Sequence, residues 1–138
     1  MLKLKVETLE DLKILSACVQ DAKFQLNEVT FLEDSKSFIL MLDRYCWEQE
    51  NLENNDFFRS ASALHIESAE AYQLLIEKEK AQDFVFEILS IHFKDKSIFL
   101  HCVDQSVISV ETSGLQLFLR DIGEPKKVDT RPKHSEVE

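Results

Sequence analysis

The chain has 138 residues and carries 16 lysines and arginines against 26 aspartates and glutamates, a net charge of −10. That length suits one domain with a single core, and that charge repels phosphate backbones and anionic lipid, which disfavours generic nucleic-acid or membrane-surface binding. With 2 glycines and 2 prolines, neither a dinucleotide fingerprint nor a P-loop can be assembled, and no apolar run approaches the roughly 20 residues of a spanning helix.

In chain order, Leu2, Leu4 and Val6 alternate with Lys3 and Lys5, the signature of a half-buried strand. The opening segment has no long apolar stretch and is expected to be no signal peptide. Thr8 and Asp11 form a capping-box pattern, and Leu12, Leu15, Val19 and Ala22 recur at spacings of three and four, which predicts a helix over residues 9–21. Ala22, Phe24 and Leu26 alternate and the alternation resumes at Val29 and Phe31, so one strand with a bulge or turn at Asn27-Glu28 is expected. After a turn at Glu33-Asp34-Ser35-Lys36, residues 38–47 read as a central strand, because Phe38, Ile39, Leu40, Met41 and Leu42 are apolar on both faces. Residues 48–56 are acidic and amide-rich and predict a solvated loop before another strand at 59–66.

Residues 67–80 carry conflicting signals: Ala, Glu, Leu, Gln and Lys favour a helix by propensity. Residues 84–93 and 97–103 predict a hairpin around Asp95-Lys96, followed by a strand at 107–111. Leu115, Phe118, Leu119 and Ile122 fall at helical spacing from about Thr112, with Gly123 as a stop. Residues 1–123 are therefore expected to form the single domain and 124–138, poor in apolar residues, a flexible charged tail.

Several stretches resemble one family. Leu15-Ser16-Ala17-Cys18-Val19-Gln20-Asp21-Ala22, Leu42-Asp43-Arg44-Tyr45 with Trp47-Glu48, Leu64-His65-Ile66, Leu89-Ser90-Ile91-His92-Phe93, Asp121-Ile122-Gly123 and Arg131-Pro132-Lys133-His134 follow in order. Together they resemble an uncharacterised α-proteobacterial family, domain of unknown function 2948. This chain departs from the pattern at Asp43, where the family has Asn, and at Val103-Asp104-Gln105-Ser106, where the family has a Gly-rich turn. The resemblance implies no activity. It does imply a strand at residues 69–76, where similar sequences show an alternating pattern, and on that ground strand is preferred over helix there.

The resulting expectation is an α+β, mostly β fold: a small antiparallel sandwich or partly open barrel with an N-terminal and a C-terminal helix. That element order is similar to the pleckstrin-homology architecture. The alternative is a two-layer α/β sandwich with an extra helix near 67–80.

Chemistry-bearing candidates are few. If the hairpin turns at Asp95-Lys96, Ser90 opposes His101, and His92 becomes its diagonal neighbour within reach of one ion; no third ligand stands at a supporting spacing, so no metal or other cofactor is assigned. Cys18, Cys46 and Cys102 lie inside apolar elements as an odd, scattered set, which reads as reduced thiols of a cytoplasmic protein. Among so many acids, Asp43, Glu48 and Glu111 have no claim to acid–base roles. Lys126, Lys127, Arg131, Lys133 and His134 make the tail basic, a counterweight to its own acidic domain.

The absence of a catalytic constellation weighs against an enzyme. The leading expectation is a binding or adaptor module for a protein partner, of basic character given the net charge, with self-association allowed. The alternative is a small ligand-binding protein or enzyme with a pocket in the barrel, where His65, His92 and Glu111 would supply the polar groups. Tyr45, Trp47 and Arg59 form an aromatic–guanidinium cluster at a strand end with the composition of an interface anchor; the competing and favoured reading of the same residues is a cation–π clamp that only closes the hairpin.

Overall fold

The computed structural model describes residues 1–47, 57–76 and 78–128. The fold is mostly β, with a single α-helix among the described residues. Strand β1 (Lys3–Val6) leads into helix α1 (Leu9–Cys18), whose Thr8 hydroxyl accepts the Asp11 N–H at 3.1 Å. The Asp11 carboxylate reaches back to the Thr8 N–H, so the capping box forms as the sequence predicts. The helix stops at Cys18, short of the expected residue 21, because the chain turns through a left-handed Asp21 (φ 65°). That turn lets Asp21 donate its N–H to the Ile88 carbonyl at 2.8 Å.

Strand β2 (Lys23–Phe24) and strand β3 (Val29–Leu32) are separated by a 3₁₀ turn at Leu26–Glu28. The phase shift expected at Asn27-Glu28 thus divides the segment into two strands. The Glu33–Lys36 turn leads into β4 (Ser37–Tyr45), which pairs with β5 (Phe57–Ile66) and also borders β2 and β3, the central placement its two-sided apolarity requires. The expected acidic loop, 48–56, lies outside the described residues.

Residues Ala69–Leu75 form strand β6, so the helix near 67–80 is overturned and the two-layer alternative with it. Propensity loses because β6 finds a full partner in β9 (Val107–Thr112), and ladder hydrogen bonds outweigh a few tenths of a kcal/mol per residue of helix preference. The expected hairpin is β7 (Phe86–Lys94) and β8 (Ser97–Cys102), joined at Asp95 and Lys96, both at positive φ (50° and 63°), as a tight hairpin turn demands.

The C-terminal helix does not form. Residues Leu117–Asp121 are strand β10, set between β1 and β5. Leu115, Phe118, Leu119 and Ile122 mimic helical spacing, but Leu117, Leu119 and Asp121 also alternate, and that alternation buries them. The pleckstrin-homology comparison rested on that helix and falls with it. Lys126–Val128 of the expected tail form β11 along Phe57–Arg59 of β5; residues 129–138, with Arg131, Lys133 and His134, lie outside the described residues.

The strands form one antiparallel path, β1-β10-β5-β4-β2-β7-β8-β9-β6, with β3 on β4 and β11 on β5. The path bends back on itself: the Tyr72 ring of β6 lies 5.3 Å from Phe31 and 5.5 Å from Phe38, and the Ala69 N–H reaches the Lys36 carbonyl at 2.9 Å. Both halves therefore face one core, in which Leu40, Leu64, Leu117 and Leu119 meet Ile88, Ile98, Leu100 and Val110, closed by Leu12 and Leu15 of α1. Full burial of each such side chain stabilises the fold by about 1.5–3 kcal/mol. The Ser16 hydroxyl of α1 accepts the Ile91 N–H at 2.9 Å beside the β7 irregularity between Ile88 and Ser90, fixing the helix on the sheet.

Candidate functional site

Alternation along β1, β10, β5 and β4 turns one set of side chains into the core and the other onto the outer face. Register then stacks the outward residues in rows. Lys5, Phe118, His65 and Ile39 stand side by side across the four strands, and Lys3, Arg120, Ala63 and Met41 form the neighbouring row. Between these rows lies an open groove with a cavity volume of about 430 Å³, lined by Ile39, Ala63, His65, Phe118, Arg120 and the two lysines, among others. Its centre is apolar and aromatic and its β1–β10 side is cationic. No carboxylate appears among its lining residues.

Two local features are unfavourable in isolation. Lys3 and Arg120 are directly opposed on adjacent antiparallel strands, and like charges in that relation destabilise a sheet. His65, whose ring lies 6.1 Å from that of Phe118, has a buried Nε2 without a hydrogen-bond partner. Lys5 has a loose, exposed contact with Glu7 at 3.7 Å.

The four strands are held together from the inner side. Arg44, wholly buried, directs Nε to Asp121 Oδ1 and Nη2 to Asp121 Oδ2, each at 2.8 Å. Asp121 Oδ1 also accepts the Ser62 hydroxyl at 2.7 Å, and Oδ2 accepts the Leu2 N–H at 2.9 Å. One carboxylate thus ties β4, β5, β10 and the residue preceding β1. Burial pushes the Asp121 carboxyl up, but the hydrogen bonds from Arg44, Ser62 and Leu2 outweigh it and hold the group below its ordinary value. Sequence reasoning missed this cluster, though a signal was present: Arg44 and Asp121 continue the inward parity of Leu40-Leu42 and Leu117-Leu119.

The candidate anchor residues come together as a closed clamp. Tyr45 is opposite Arg59, whose guanidinium lies 4.0 Å from the Tyr45 ring centre; the Tyr45 and Trp47 rings are 5.6 Å apart. Arg59 is further engaged by Asp43, through Nε to Oδ2 and Nη2 to the backbone carbonyl, both at 2.8 Å, and Nη1 is buried without a partner. The Trp47 indole N–H reaches the Gln20 carbonyl at 3.3 Å.

The histidine geometry follows the predicted register: Ser90 pairs with His101, and His92 Nδ1 lies 2.9 Å from His101 Nε2, with rings stacked at 4.6 Å. Desolvation, then the neighbouring His92, lowers the His101 pKa. Among the described residues no group of three or more His, Cys, Asp or Glu could hold a metal ion. His65, His92 and Glu111 do not converge: His65 lines the groove, His92 sits on the β7–β8 hairpin, and Glu111 of β9 is exposed opposite Ser97. Cys46 and Cys102 are buried and Cys18 is half-buried; burial, with Asp104 nearby, pushes the Cys102 thiol up to about 12. No described helix is long and apolar enough to cross a membrane.

The family model described as protein of unknown function DUF2948 matches residues 2–134 of the chain. No curated protein and no solved structure matches it.

Proposed function

The chain belongs to the DUF2948 family, whose description assigns no function, and from its own geometry we propose that it is a non-enzymatic binding module working through the outer face of β1, β10, β5 and β4. The observation that carries this reading is the groove: an apolar floor beside Lys3, Lys5 and Arg120 on a chain of net charge −10. A cationic patch on an acidic body selects by local field, since screening confines each charge's reach to about 8–10 Å at physiological salt. A basic partner follows from the net charge alone; the groove carries the opposite sign, so the occupant of this face is anionic. The odd, scattered set of three cysteines supports work in a reducing, cytoplasmic compartment.

Affinity capture with wild-type chain and with the K3E/R120E variant tests the reading. The wild type is expected to retain a species that the variant releases and that added salt displaces. Identical profiles from the two baits would remove this face as the working surface.

A further inference from the structure

We infer that the groove binds a small amphipathic organic acid, its carboxylate held between Lys3 and Arg120 and its apolar body laid over Phe118, His65, Ala63 and Ile39. The inference rests on the binding-module reading and names the ligand class for the same face.

Three observations select this occupant. The volume of about 430 Å³ lies within the range of small-molecule sites. The opposed Lys3–Arg120 pair is a repulsive arrangement that an anion between the two converts into two charge-assisted contacts. Lysines on an end strand such as β1 would also serve to block edge pairing, but Arg120 lies on β10, flanked by β1 and β5, where edge protection has no role. The apolar centre then separates an acid carrying a hydrocarbon or ring from a bare inorganic anion, which would leave Phe118 and Ile39 uncovered.

The test is calorimetric titration of the full chain with decanoate, 1-decanol, acetate and hexaglutamate. Decanoate is expected to bind one to one and at least tenfold more tightly than 1-decanol or acetate. Arg120→Gln and Lys3→Gln should each weaken it by about tenfold, the scale of one charge-assisted contact. Ala63→Phe, which fills the groove without changing charge, should abolish binding. Both rim residues are exposed and each variant relieves the like-charge opposition, so thermal unfolding at or slightly above the wild-type temperature is expected and identifies any loss of binding as local. Equal affinity for decanoate and 1-decanol, or binding insensitive to both rim variants, would overturn the inference. Binding of hexaglutamate but not decanoate, dependent on Arg120, would overturn the small-acid ligand while leaving the binding face standing. Binding of none of these anions would overturn the ligand class and leave the capture experiment to decide the face.

Discussion

Arg44 and Asp121, 77 residues apart in sequence, meet inside the core through two parallel contacts of 2.8 Å, with side chains essentially unexposed. A buried ion pair seldom adds net stability over an apolar replacement, but leaving one member unpaired is costly. Here it joins the four strands whose outer face forms the groove.

Arg44→Met is therefore expected to destabilise the fold by about 3–5 kcal/mol, as removal of one partner strands a buried carboxylate. The double variant R44M/D121N should recover part of that loss. Urea unfolding of the two variants checks this; a single-variant loss below about 1 kcal/mol would show that the pair is not desolvated.

The same carboxylate sets an acid limit. Its folded pKa lies below the unfolded value of 3.8, so its contribution is present above that pH and is lost as pH falls through the folded value. Stability measured from pH 5 downward should fall less steeply in R44M/D121N than in wild type.

For His101 the shift is also downward, from 6.5, but the group is a base. The unfolded chain takes up the proton first, so stability is expected to decline as pH falls below 6.5, until the folded imidazole itself protonates. His101→Gln should flatten that part of the profile. In a proton NMR titration His101 should titrate below a free imidazole, and a midpoint above 6.5 would contradict the desolvation and the neighbouring His92 that lower it.

Arg59→Ala separates a clamp from an interface anchor. With Asp43 and the Tyr45 ring both engaged, the substitution should cost about 2 kcal/mol, and Arg59→Lys should restore less than half because it lacks the planar fork. A loss within about 0.5 kcal/mol would free the guanidinium for a partner, as the interface-anchor reading requires.

Cys102, buried and pushed up to about 12, should resist alkylation at pH 8 in the native protein and react promptly in urea. Peptide mapping after brief iodoacetamide treatment reads this directly.

Local features were legible wherever neighbours in sequence settle them. The Thr8–Asp11 box, the turn at Asp95-Lys96 and the two-sided apolarity of Phe38–Leu42 each depend on side chains within a few positions, and the hairpin turn fixes which residue opposes His101. Apolar alternation and turn spacing likewise pointed to a mostly β domain, and the motifs between Leu15 and His134 pointed to its family. Residues 115–122 satisfy a helical and an extended period equally, and only the presence of β1 on one side and β5 on the other chose the strand. The same pairing placed Lys3 opposite Arg120 and Arg44 against Asp121. Periodicity says which side of a strand a residue occupies, whereas strand order and register, set by contacts more than a hundred residues apart, decide what it meets there.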